Sequence, residues 1–203
     1  MSSSYRKIFW GFLLVLIEIH IIAIDLLPDP IGYYFIFSGI SKIVEDYQFG
    51  KNAKNLSMFI IFISVPTVFL QQTTSLNQFG QITAFSIWPM YMIVLGILKL
   101  ILVFYVFQLL MKIVNNLGAE SLIRRASNTF KIYMSVMFVL TIFQSFTMNL
   151  SNDLLIALSV VFVVLSLIME ISFLLLIRKI GKVIGDHPED NLNAETTTLD
   201  NNL

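Results

Sequence analysis

The 203 residues are 57% apolar and 13% charged, with a mean hydropathy of +0.81, and 13 Lys and Arg balance 13 Asp and Glu. Soluble domains carry about 25% charged residues, so half that share assigns most of the chain to lipid, and zero net charge gives no reason to expect a nucleic-acid partner. The absence of cysteine excludes disulfides, thiolate metal sites and cysteine nucleophiles.

A bilayer core takes about 20 apolar helical residues. Six stretches qualify, at about 8–27, 30–47, 56–70, 85–114, 130–148 and 154–177. The expected fold is therefore all-α: a polytopic membrane protein of six transmembrane helices filling residues 1–184, begun by a helical hairpin. Arg6-Lys7 ahead of the first run gives the outline of a secretory signal. That run is long, however, holds Glu18 and His20, and leads into Pro28-Asp29-Pro30 with no small-residue cleavage pattern. A retained first helix is expected.

Asp29 can cap the second helix while Pro30 takes its first position, where a missing N–H costs nothing. This helix is short and must borrow Glu45–Tyr47 or thin the bilayer. Gly32 and Gly39, seven apart, share a face that lets the first helix approach closely. Tyr33, Tyr34 and Trp88 read as interfacial belt residues. In the third helix Pro66 frees a backbone carbonyl and predicts a bend. The fourth contains Lys99.

Residues 115–128 are polar with an amphipathic centre, and Glu120 and Arg124 are spaced as a helix-surface pair. They are expected to lie along the membrane face. The fifth helix gathers Thr141, Gln144, Ser145 and Thr147 towards its end. On the sixth, Ser159, Ser166 and Glu170 form one stripe. Gly181 and Gly185 are expected to end that helix. Residues 185–203 are acidic and poor in apolar groups, which predicts a disordered cytoplasmic tail.

Every Lys and Arg except Lys99 falls on one side of a six-helix arrangement. The positive-inside rule then puts both termini in the cytoplasm. The turn with Asp25, Pro28 and Asp29 faces outward. Those two aspartates are expected to serve as turn and cap residues rather than to bind a cation.

Ionisable groups at membrane depth are costly and mark functional sites. From the helix rise of about 1.5 Å per residue, Glu18 lies roughly 16 Å from the basic edge, Lys99 roughly 19 Å and Glu170 roughly 12 Å. Lys99 is expected to bridge Glu18 or Glu170 inside the bundle. His20 lies about 200° around the helix from Glu18, so the two cannot share one narrow site. The candidate polar cluster is thus Glu18, His20, Lys99 and Glu170. With two histidines in the chain and no zinc-helix, nucleophile-elbow or phosphate-loop motif, neither a catalytic residue, a metal site nor a cofactor is expected.

Arg6-Lys7-Ile8-Phe9-Trp10-Gly11-Phe12, followed by Ile24-Asp25-Leu26-Leu27-Pro28-Asp29-Pro30-Ile31-Gly32-Tyr33, resembles small integral membrane proteins of low-GC Gram-positive bacteria. Those proteins carry a Trp-Gly start and an Asp-x-Leu-Pro-Asp-x-Ile-Gly-Tyr turn. The likeness covers about the first 45 residues, and Pro30 stands where a bulky apolar residue is the pattern. It implies a multi-pass protein of the bacterial plasma membrane and assigns no activity. The expected roles are capture or transport of a small solute through the buried Glu/Lys cluster, or an accessory, sensor or immunity role through helix contact with another membrane protein.

Overall fold

The computed structural model describes residues 3–20, 29–47, 49–71, 87–146 and 152–186. They form six helices: α1 Ser3–His20, α2 Asp29–Tyr47, α3 Lys51–Gln71, α4 Ile87–Asn116, α5 Glu120–Phe146 and α6 Asn152–Asp186. Each helix packs on the one before it, and α6 returns to pack on α1, so the six close into a ring. Successive helices run antiparallel: Gly11 meets Gly32 and Ile36 while Gly39 meets Ser4 and Ile8. Farther round, Tyr133 meets Phe173 and Phe143 meets Phe162. The alternation brings the starts of α1, α3 and α5 to the same end as the finishes of α2, α4 and α6. That end holds every lysine and arginine of the chain but Lys99, and it is called the basic end below.

The hairpin of α1 and α2 is closely packed, because three glycines remove the side chains between the backbones. A Cβ on Gly11 would lie 2.7 Å from the Gly32 carbonyl oxygen, and one on Gly39 would lie 2.7 Å from that of Ser4. Tyr33 follows Gly32 onto this buried face, whereas Tyr34 is 58% exposed. Neighbouring helical positions point about 100° apart, so the two tyrosines cannot share an interfacial belt, and only Tyr34 is available for one.

In α3 the helix continues through Pro66. Around it the buried Ser64 and Thr67 hydroxyls donate to the carbonyls of Ile61 and Ser64, and the Tyr91 hydroxyl of α4 donates to that of Ile63. Polar side chains thus take up carbonyls beside the proline, as an apolar surrounding requires.

Several boundaries differ from the sequence reading. Residues 115–128 do not form a separate segment: α4 reaches Asn116, a turn occupies 117–119, and α5 begins at Glu120. Gly118 makes the turn, adopting φ +64° while its N–H donates to the Asn115 carbonyl over 3.1 Å. Residues 120–128 of the expected surface segment are simply the first two and a half turns of α5. The third helix begins at Lys51 rather than 56, and the sixth runs through Gly181 and Gly185 to Asp186 rather than stopping at 177. A helix gains nothing by ending at the membrane surface, where water can still solvate its exposed face. The acidic tail from His187 onward lies outside the described residues.

Three of the six helices, α4, α5 and α6, are long and apolar enough to cross a membrane. Among the described residues α1, α2 and α3 do not meet that measure. In α2 the reason is plain: Asp29, Lys42, Glu45 and Asp46 fall within 19 residues. The outer surface of the ring is nevertheless apolar on every helix. Trp10, Tyr34, Phe62, Met90, Phe138 and Val160, one from each, are all more than half exposed.

Candidate functional site

The interior of the ring is filled by aromatic rings. Phe12 of α1 packs edge-on against Phe173 of α6 at 5.0 Å, and Phe173 meets Phe107 of α4 at 4.7 Å. Tyr133 of α5 lies 5.7 Å from Phe107 and 5.5 Å from Phe173. Four helices therefore meet in one plug, each contact worth about 0.5–1.5 kcal/mol beyond the area it buries.

Immediately beyond the plug, one helical turn before Phe173 on α6, sits Glu170. Its carboxylate is wholly inaccessible to solvent. The Lys99 ammonium of α4 lies 2.7 Å from Glu170 Oε1, and the Tyr133 hydroxyl donates to the same oxygen over 3.2 Å. Glu170 Oε2 is buried without a hydrogen-bond partner. Lys99 keeps 12% of its side chain accessible, so its end of the pair is the less enclosed one. Removing two charges from water is expensive, and their mutual attraction offsets that cost only when the remaining lone pairs are also satisfied. Here one carboxylate oxygen has two donors and the other has none.

Of the two bridges open to Lys99, the structure shows the one to Glu170. Glu18 and His20 lie in the last turn of the described part of α1, and their side chains are outside the described residues, as are Asp25 and Pro28. Asp29 opens α2. The stripe expected on α6 does not face one site throughout: Glu170 is buried, Ser166 half-buried and Ser159 exposed. Tyr133 and the aromatic plug are the members that the sequence reading missed. A tyrosine inside an apolar run was the available signal, since a buried phenol needs a partner for its hydroxyl.

No family model, curated protein or solved structure matches the chain. The site therefore has to be understood from its own chemistry. Its charged groups sum to zero, it holds one buried, unused acceptor in Glu170 Oε2, and it has ammonium donors beyond the one committed to Glu170. Aromatic rings close it towards the basic end. At that end Tyr5 is buried next to Asp46 and Tyr47. Burial first, then those two neighbours, hold its phenol well above the ordinary tyrosine value, so it remains neutral and contributes no charge.

Proposed function

We propose that the chain is a multi-pass protein of the bacterial plasma membrane that captures or carries a small polar solute at Lys99, Glu170 and Tyr133. Six crossings, with the basic end and both termini in the cytoplasm, are supported by the apolar outer surface on all six helices and by the gathering of basic residues at one end. The observation that carries the solute reading is the orphaned Glu170 Oε2. A buried acceptor left without a donor costs about 1–3 kcal/mol. A solute that supplies an N–H or O–H recovers this. Because the pair is already neutral, a solute of zero net charge, neutral or zwitterionic, enters at least cost. Lys99, the less enclosed member of the pair, lies on the side of the plug away from the basic end, which is the outer side in this orientation.

The orientation is tested by labelling. The chain has no cysteine of its own, so Gln78→Cys and Lys182→Cys each place a single thiol. A membrane-impermeant maleimide is expected to modify Gln78→Cys in intact cells and Lys182→Cys only after permeabilisation. The reverse pattern overturns the arrangement.

The solute reading is tested by thermal unfolding of the purified chain against a panel of neutral and zwitterionic metabolites. A ligand at a hundred times its Kd contributes about 2.7 kcal/mol, or a rise of roughly 5–10 °C for a chain of this size. That rise is expected to vanish in Glu170→Gln and to shrink in Tyr133→Phe. The complete burial of Glu170 favours a second reading, in which the ion pair only joins helices and the protein acts by contact with a partner. If no solute raises the transition and Lys99→Met/Glu170→Gln keeps the phenotype of the unaltered gene, that second reading replaces the first.

A further inference from the structure

At the basic end, Phe49 and Gly50 join α2 to α3 and form the rim of a cavity of about 310 Å³ between the first turn of α3 and the last turns of α4. The cavity is ligand-sized, at the lower end of the usual range. Its polar wall consists of Lys51, Asn52, Tyr105, Gln108 and Lys112, with no acidic side chain among the described lining residues. Two lysines therefore line one recess without a described counter-charge in its wall. Among the described residues neither forms an ion pair, since Lys99–Glu170 is the pair present there.

The recess is also built to hold its shape. Gly50 adopts φ +95°, and a Cβ there would lie 2.7 Å from the Leu109 side chain of α4, so the loop is seated against α4. Lys112 stands over the ring of Phe49 at 5.5 Å from its centre, which directs a flexible ammonium to the cavity rim. The Lys54 N–H donates to the Gly50 carbonyl over 3.2 Å, making Gly50 the capping residue of α3. Glycine has no side-chain oxygen, so it leaves the first-turn N–H groups of a 21-residue helix without the usual side-chain acceptor. Two lysines and the first turn of α3 thus line one cavity whose described lining contains no acid, which makes it a positive site.

We propose that this cavity binds a phosphate group, held by Lys51, Lys112 and the first-turn amides of α3. The chemistry is shared by the headgroup of an anionic phospholipid and by free phosphate, and the position at the basic end gives the site access to both. It stands apart from the Lys99–Glu170 site and does not depend on what that site carries.

The test uses the full chain. Its thermal transition is followed in nanodiscs of phosphatidylcholine alone and of phosphatidylcholine with phosphatidylglycerol, and in neutral detergent with inorganic phosphate titrated against chloride at constant ionic strength. Stabilisation by phosphatidylglycerol alone identifies a lipid headgroup, and stabilisation by inorganic phosphate identifies a soluble source. In either arm Lys51→Gln/Lys112→Gln is expected to weaken the apparent affinity about thirtyfold, the loss of two near-surface lysines. Lys42→Gln/Lys182→Gln, which removes the same charge from exposed positions elsewhere at that end, is expected to leave it within a fewfold. All these side chains are exposed, so each variant is expected to fold with an unchanged transition in phosphatidylcholine. No stabilisation in either arm, or an equal loss in both double variants, overturns the site.

Discussion

Replacing Lys99 with Met is expected to lower stability by about 3–5 kcal/mol, and adding Glu170→Gln to the same chain is expected to restore most of the loss. The single change removes the one cation beside a carboxylate that has no solvent contact and leaves it only the Tyr133 hydroxyl. The double change removes both charges, and the amide oxygen it introduces on α6 can still accept from Tyr133. Glu170→Gln alone is expected to cost less than Lys99→Met, because Lys99 retains partial exposure and a long apolar stem along which its head can reach polar surroundings. Thermal unfolding in detergent of the four chains gives the coupling as a double-mutant cycle. Losses that simply add would mean that the two charges do not sense each other, contrary to their 2.7 Å separation.

The six helices were legible in the sequence because each carries an apolar run of helical length, and three of them are long and apolar enough to cross a membrane. The start of α2 was expected at position 30 from Asp29-Pro30, and the described helix opens one residue earlier, at Asp29. That Lys99 pairs with an acid inside the bundle was also legible, because a charge within an apolar run needs a partner. Helix ends beyond the apolar core were not. The first turns of α5 and the last of α6 are polar or mixed, and polarity marks where the lipid stops rather than where the helix does. Gly118 carried a usable signal for the turn after α4, but the surrounding Asn115, Asn116 and Glu120 suggested a longer break.

What the sequence hid most completely was which apolar side chains face inward. In water a helix declares its buried face by contrast with a polar one. In α4 that contrast is missing: Phe107 is buried in the plug, while Met90, Met92 and Val94 are exposed, and all are apolar. Eighteen phenylalanines offer no means of choosing Phe12, Phe107 and Phe173 from the rest. The inward face is legible only where a residue cannot tolerate the outward one, which is why the two charges and the glycines of the hairpin stood out.

Those glycines support the second large effect: Gly11→Ala is expected to destabilise the fold by about 1–3 kcal/mol, the usual cost of forcing extra volume into a packed interior. The new methyl would meet the Gly32 carbonyl oxygen at 2.7 Å and the Ile36 nitrogen at 2.8 Å. Both are backbone atoms and cannot rotate away, so α1 and α2 must separate. Gly39→Ala meets the Ser4 carbonyl oxygen at 2.7 Å and is expected to behave alike. At Gly32 the nearest contact is a side-chain methyl of Val15, which can yield, and the smaller cost is expected there. Gly96 of α4 supplies the control: a Cβ at that position meets nothing within 4 Å. Gly96→Ala is therefore expected to be neutral or to gain up to about 1 kcal/mol from helix propensity. Equal transitions for Gly11→Ala and Gly96→Ala would contradict a hairpin held by backbone contact.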